Sequence, residues 1–386
     1  MYNRKQVFAA ACIGLLLFGI MLITLGSILP SINDKFKLQG VKTGSLTWIF
    51  PIGILIGSLM FGPIVDRFGY KRLLIVTTLL LIPSFEGLAF ANSFFILQLS
   101  IFIIGIGGGI LNGATNAVVS DISTGDKGAS LSLLGAFFGF GALGMPLLLG
   151  VLSKHFDYSI ILSWVGFSFL LVVLFFLLIK FPVPKHTQGF PLNAGMELLK
   201  KPAILLIGFF LFFQSGTEAL VNNWSTSFLQ NERSFSEENS LFLLTIYMVA
   251  LTVARLILGG ILRKISSYLL MLLSLLLFLI GVVILQVTQT YSISLVAYII
   301  IGLGLAAAFP VMLGYVGHLY ATLSGTAFSI VLVIGLVGNI LINYLFDLIS
   351  HQKGFGILTW LLMGSVVFRL ILLLLIKKKI SLHIKL

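Results

Sequence analysis

The stretch GPIVDRFGYKRLL, Gly62 to Leu74, sets four charged residues, Asp66, Arg67, Lys71 and Arg72, between two long apolar runs. Each flanking run reaches the roughly 20 apolar residues that a helix needs to cross a bilayer, so the charged turn reads as a loop between two spans. Working outward, the same pattern recurs until twelve runs are found. They lie near 8–30, 44–65, 72–91, 94–119, 129–152, 158–180, 203–229, 239–262, 267–287, 291–318, 325–347 and 355–376. In hydrocarbon the backbone polar groups must bond within the chain, which makes these runs helices. The alternating pattern of an outer-membrane barrel is missing. Composition agrees. Of 386 residues 59% are hydrophobic and 9% charged, where average usage is about 25% charged; the mean hydropathy is +1.13. Lipid is therefore the solvent for most of this surface. The expected fold class is an all-α membrane protein with twelve transmembrane helices.

A net charge of +12 could suit nucleic acid, but the basic residues sort by loop. With the N-terminus inside, sixteen Lys and Arg fall on cytoplasmic segments and six on the opposite side, with Arg255 and Arg369 inside spans. That asymmetry follows the positive-inside rule and places both termini in the cytoplasm. Lys35, Lys37 and Lys42 cluster on the minority side, against the trend. The one cysteine, Cys12, lies in the first span, which excludes internal disulfides and cysteine-rich metal sites. The five histidines show no zinc spacing, and no phosphate-cradling loop precedes a lysine. No metal, cofactor, nucleic-acid partner or enzymatic activity is expected. The first apolar run is too long for a cleaved signal peptide and reads as a retained helix.

The chain repeats itself at an offset of 197 residues. Gly19 maps onto Gly216, Gly62 onto Gly259, Gly105 onto Gly302, Gly107 onto Gly304, Ser132 onto Ser329, Gly141 onto Gly338 and Arg67 onto Lys264. One gapless offset through four spans of each half implies two like-oriented six-helix bundles, residues 1–180 and 202–386, joined by a cytoplasmic linker at 181–201. Parallel repeats about an axis along the membrane normal are a known transporter design.

Gly62, Asp66, Arg67, Gly69, Lys71 and Arg72 together resemble the signature cytoplasmic loop of the major facilitator superfamily. Gly62 lets two helices approach, and Asp66 can sit against the positive N-terminal end of a facing helix. The family's architecture implies that this partner is span 11, which begins around Ser324 and Gly325, and that the contact is a latch for gating. The same charges also suit a solvated, topology-setting turn. In the second half GGILRKISSYLLM, from Gly259, has Arg263 in place of the acid, so one copy of the latch is complete. GIGGGILNGATNAVVSD (Gly105 to Asp121), LLGAFFGFGALGMP (Leu133 to Pro146) and GLGLAAAFP (Gly302 to Pro310) look like segments of the fucose:proton symporter branch. QSGTEALVNNW (Gln214 to Trp224) is similar to span 7 of that branch and of sodium-dependent glucose transporters. The resemblance implies a sugar or sugar-like solute carried with H+ or Na+. Members of the fucose type carry acids in spans 1 and 4; here the core of span 1 has none and Asn112 stands at the span-4 position.

Polar groups inside a span face the bundle interior by default. In span 7, Gln214, Glu218 and Asn222 recur at i, i+4 and i+8, one helical stripe, with Asn223 and Trp224 adjoining. Span 4 offers Asn112, Asn116 and Ser120, and span 11 offers Asn339, Asn343 and Asp347. Amides and an indole suit a hydroxylated ligand, so Gln214, Asn222, Asn223, Trp224, Asn112, Asn116, Asn339 and Asn343 are the candidate binding residues. Interhelical glue is the competing reading for the asparagines, and an interfacial anchor for Trp224. Glu218 lies roughly 20 Å from the inner surface by helical rise. An ionised acid there costs about 2.5–3.5 kcal/mol, so a group able to switch between neutral, paired and hydrated states can couple cation entry to solute binding. A structural pairing is the alternative. Arg255 lies about 10 Å from the same surface, so no direct pair with Glu218 is expected, and Arg255 and Arg369 are expected to reach toward the cytoplasm. Glu86 and Asp121 read as rim or network charges, and His318 as a packed polar residue, with a proton relay as the alternative.

The function these readings imply is secondary active transport of a small polar solute by alternating access, by a monomer in a bacterial inner membrane. An exporter of drugs or hydrophobic metabolites with the same fold, suited by the 34 Phe, and a transport-dead sensor or scaffold are the alternatives.

Overall fold

The computed structural model of the protein describes residues 2–37, 41–185 and 192–380. Residues 186–191 of the expected linker and Lys385 lie outside the described residues, as does the side chain of Lys42. Every regular element described is helical. The first half holds α1 (Arg4–Phe36), α2 (Val41–Phe68), α3 (Tyr70–Phe90), α4 (Phe94–Ile122), α5 (Lys127–Leu152) and α6 (Tyr158–Leu178). A short α7 (Leu192–Leu198) precedes α8 (Pro202–Arg233), α9 (Glu237–Ile261), α10 (Ser267–Val287), α11 (Tyr291–Leu305) and α12 (Ala308–Leu319). The chain continues through a 3-10 turn (Ala321–Leu323) into α13 (Ser324–Lys353) and α14 (Ile357–Ile380). Among the described residues, twelve segments are long and apolar enough to span a bilayer, α11 and α12 counting together as one.

The helix ends follow from local chemistry. Asn3 caps α1 by accepting from the Lys5 amide at 3.0 Å. Ser236 caps α9 and Ser266 caps α10 through the amides three residues on, each satisfying an orphan donor of a first turn. Asp157 caps α6, accepting from the Ser159 backbone and hydroxyl, and those bonds hold its carboxyl below the usual carboxylate range. Pro202 opens α8 at a position where its missing N–H is not needed. The helices run past the apolar stretches because α1, α8 and α13 carry polar final turns, as in α8, which ends at Arg233 rather than near 229.

One break was not expected. The tenth span, read as a continuous run over 291–318, is interrupted at Ala306 and Ala307. Pro310 accounts for it: its ring crowds the carbonyl four residues back, Ala306, and it has no N–H to donate there.

The helices gather into two compact units. One comprises Met1–Ile122, Phe137–Leu192 and Tyr320–Ser329; the other comprises Ser123–Ala136, Asn193–Leu319 and Ile330–Leu386. Each follows one half of the repeat, except that the start of α5 belongs with the second unit and the start of α13 with the first. Inside the first unit α4 packs against α1, α2 and α3, and α3 against α6. Inside the second, α11 packs against α9 and α10, α12 against α8, and α10 against α14. This is the same arrangement shifted by one repeat. The close approaches repeat as well: a Cβ at Gly105 would stand 2.5 Å from the Phe50 carbonyl oxygen, and one at Gly302 would stand 2.7 Å from that of Tyr247, 197 residues later. Small residues at these crossings let backbones approach where lipid supplies no hydrophobic drive.

Candidate functional site

The polar stripe on α8 is the centre of a network within the second unit. The Arg369 guanidinium, fully buried on α14, donates from Nη1 to Gln214 Oε1 at 2.6 Å. A guanidinium has no acceptor, so it orients the carboxamide: the Gln214 oxygen faces Arg369 and its amino group faces the other way. That amino group donates to Glu218 Oε1 at 2.8 Å and to the Leu305 carbonyl at 3.3 Å. Leu305 is the last residue of α11, beside the break. The break in the tenth span and the span-7 stripe thus meet at one side chain. Arg369 is further held by Ser365 Oγ at 3.2 Å and lies over the Phe278 ring at 4.6 Å.

Arg255 approaches the same carboxylate, with Nη2 3.9 Å from Glu218 Oε1. Helical rise alone excluded this pair, and the expectation that Arg255 and Arg369 extend toward the cytoplasm fails with it. The cause is side-chain direction. Side chains tilt toward the N-terminus of their helix, and α8 and α9 run oppositely, so Glu218 and Arg255 lean toward each other. Both are largely covered, with side chains 18% and 8% exposed.

Further along α8, Asn223 Nδ2 and Trp224 Nε1 both donate to Asn343 Oδ1 on α13, each at 3.0 Å. Asn343 Nδ2 in turn donates to the Asn339 carbonyl at 2.8 Å. The Trp224 ring packs on Phe346 at 4.9 Å between centroids. Asn222, one turn beyond Glu218, keeps a buried Oδ1 with no hydrogen-bond partner among the described residues. Among the binding candidates, Asn223 and Trp224 on α8 are thus bonded to Asn343 on α13, Gln214 bonds Arg369 and Glu218 instead, and Asn222 lies between the two groups along α8.

The charged turn builds a second site in the first unit. Asp66 is 1% exposed, and its Oδ2 accepts from the Thr326 amide at 3.0 Å and the Thr326 hydroxyl at 2.8 Å. It caps the first turn of α13, where orphan amides and the helix dipole favour a carboxylate. A Cβ at Gly62 would stand 2.7 Å from the Gly325 carbonyl oxygen, so only glycine allows α2 and α13 this close. Ser329 Oγ donates to the Ser58 carbonyl across the same crossing. The remaining motif residues lie at the edge. Gly69 adopts φ +81 at the turn, Lys71 donates to the Leu177 carbonyl at 2.6 Å, Arg67 lies over Phe68, and Arg72 is exposed.

The family model described as "Major Facilitator Superfamily" matches residues 11–343. This chain belongs to that superfamily. The fold matches the solved proton:xylose symporter XylE, with a TM-score of 0.81 at 15% identity over 97% of this chain and 95% of that one. It also matches the Escherichia coli fucose:proton symporter FucP, with a TM-score of 0.80 at 18% identity over 96% and 98%. Among curated proteins, a protein TsgA homolog of Buchnera aphidicola is 26% identical over 200 residues, 49% of this chain and 51% of that protein. The cis,cis-muconate transport protein of Acinetobacter baylyi is 27% identical over 279 residues, 68% and 65%. The chain thus spans about half to two thirds of the length of these curated relatives. Superfamily membership accords with the twelve long apolar helices of a multi-pass membrane protein.

In the second half, where Arg263 stands at the position that corresponds to Asp66, the helix start is capped differently. Ser132 Oγ donates to the Arg255 carbonyl at 2.7 Å, the repeat equivalent of Ser329 to Ser58. The first turn of α5 corresponds to that of α13, and Ala129 to Thr326. The Ala129 amide is capped by Asp126, three residues before it, at 2.7 Å. Asp126 thus supplies locally the cap that Asp66 supplies to Thr326 in the other repeat. The remaining candidates, Asn112 and Asn116 on α4, bond to each other, Asn116 Nδ2 to Asn112 Oδ1 at 3.1 Å.

Lys185 takes a place at this crossing that no sequence pattern marks. It bonds Asp121 Oδ2 at 2.7 Å and the Ala321 carbonyl at 2.7 Å, while Tyr70 and Ser324 hydroxyls donate to Asp121 at 2.6 and 2.8 Å. A lone lysine in a polar linker carries no pattern, so nothing in the sequence distinguished it.

Proposed function

We propose that the protein moves a small polar solute, a sugar or sugar-like metabolite, across a bacterial inner membrane by alternating access, driven by H+ or Na+. The observation that carries the reading is the chain from Arg369 on α14 through Gln214 to Glu218 on α8, with Arg255 at 3.9 Å from Glu218. A carboxylate that accepts from one amide, with one guanidinium 3.9 Å away and a second held on the far side of that amide, can exchange partners when a cation or solute arrives, and a ligand shifts the cycle only by binding its states unequally. Glu218 is the coupling residue in this reading. Gln214, Asn222, Asn223, Trp224, Asn339 and Asn343, with Asn112 and Asn116 on α4, bind the solute. Gly62, Asp66, Arg67, Gly69, Lys71 and Arg72 gate. The protein works as a monomer with both termini cytoplasmic. The xylose and fucose symporters that share the fold support a hydroxylated solute, and the muconate transport protein supports a small polar one.

The test is uptake into proteoliposomes under an imposed pH or sodium gradient. A sugar panel is accumulated by the native protein; Glu218→Gln abolishes gradient-driven accumulation while solute counterflow at equal ion concentrations continues. Unchanged accumulation in Glu218→Gln removes the coupling role.

A further inference from the structure

We infer that the transported solute carries a carboxylate on a hydroxylated frame, as an aldonate or uronate does, and that Arg255 is its anchor; this rests on the transport reading above and narrows it. Two of the 24 Lys and Arg residues, Arg255 and Arg369, stand deep in the spans of the second unit. Among the described residues Glu218 is the one carboxylate within 4.0 Å of either. Two guanidinium charges therefore face one carboxylate, and a positive charge is left over whichever of them Glu218 pairs with.

The two arginines are not equally placed. Arg369 is satisfied: Gln214, Ser365 and the Phe278 ring take its donors and its charge. Arg255 is not. Its Nε is buried with no hydrogen-bond partner. Its Nη1 reaches the Gly135 carbonyl only at 3.5 Å, and its Nη2 stands 3.9 Å from Glu218, beyond hydrogen-bond reach. A guanidinium offers five donors in a planar fork, and this one, 6% exposed, makes no short bond with any of them. Burying such a group is unfavourable unless an anion completes it. A carboxylate fits the fork with two parallel bonds; a neutral hydroxyl supplies one acceptor and no charge. The frame's hydroxyl groups have a counterpart too, since the buried, unpartnered Asn222 Oδ1 lies on the α8 stripe one turn from Glu218 and accepts a hydroxyl proton.

The experiment pairs acids with their neutral parents: gluconate and glucuronate against glucose, galacturonate against galactose. Thermal shift of the purified full-length protein and counterflow in proteoliposomes are read for each. The acids are expected to stabilise and exchange, and the neutral sugars to do neither at equal concentration. Arg255→Lys, which keeps the charge and stem but loses the fork, is expected to weaken the acids at least tenfold, and Arg255→Gln to abolish their binding. The native-protein comparison needs no variant, so it stands even where Arg255→Gln fails to fold. Neutral sugars exchanged in preference to acids would overturn this inference and leave the transport reading intact. Acid affinity unchanged in Arg255→Lys and Arg255→Gln would remove the anchor. No exchange of either class would overturn the sugar-like solute itself, and this inference with it.

Discussion

At the scale of single residues, Gln214 is the pivot of the second unit, because it alone touches Arg369, Glu218 and the Leu305 carbonyl. Gln214→Leu leaves a fully buried guanidinium without its shortest bond. Hydrogen bonds to charged groups contribute about 1.5–3 kcal/mol, so thermal unfolding in detergent is expected to drop by a corresponding amount. Removing both partners is the gentler change, since an apolar pair no longer strands a buried charge. The double variant Gln214→Leu with Arg369→Leu is therefore expected to be less destabilised than the sum of the two single ones. An additive double variant would mean that the two residues do not act as a pair. Asn343 is a simpler case. It accepts from both Asn223 and Trp224, and Asn343→Ala is expected to weaken solute binding in a titration while costing about 1 kcal/mol of stability per lost bond. Unchanged affinity would leave Asn343 as interhelical glue.

At the scale of elements, the crossing of α2 and α13 differs from its repeat in a measurable way. A Cβ at Gly62 meets the Gly325 carbonyl at 2.7 Å and the Thr326 Cα at 2.9 Å, both backbone, whereas the three atoms nearest one at Gly259 all belong to the Leu133 side chain, the closest being Cγ at 2.4 Å. A leucine side chain can turn aside and a helix backbone cannot. Gly62→Ala is expected to lower the melting temperature and transport clearly more than Gly259→Ala, with overpacking typically destabilising by about 1–3 kcal/mol. Equal effects would mean that α13 yields as easily as a side chain. Much of this level was legible beforehand. The twelve spans, the repeat and the polar stripe of α8 all follow from periodicity and from the expense of polar groups in lipid. Three features were not. The Glu218–Arg255 approach needs side-chain tilt, which residue counting along a helix ignores. The break at Ala306 needs Pro310 to be read four residues backward. Lys185 acts through loop geometry that no local pattern encodes.

At the scale of the whole molecule, the chain's two halves are stitched at matching places: Ser329 to the Ser58 carbonyl, and Ser132 to the Arg255 carbonyl. In transporters built from parallel repeats, one half rocks against the other, so under the proposed alternating access stitches of this kind open once per cycle. Covalent closure of one stitch tests that requirement directly. A Cβ at Gly62 would lie 2.8 Å from the Ser329 Cβ, a little short of the roughly 3.5–4.5 Å that a disulfide takes, so Gly62→Cys with Ser329→Cys can bridge after a slight separation of α2 and α13. The single native cysteine, Cys12, is 3% exposed and is replaced by alanine to remove competing chemistry. Under oxidation the cross-linked protein is expected to keep solute binding and lose counterflow, and reduction is expected to restore counterflow to the level of the parent with both new thiols. Each single-cysteine variant controls for the Cβ added at Gly62. Full counterflow from protein shown by mobility shift to be completely cross-linked would mean that α2 and α13 stay together throughout transport, and the rocking mechanism would have to be abandoned for this crossing.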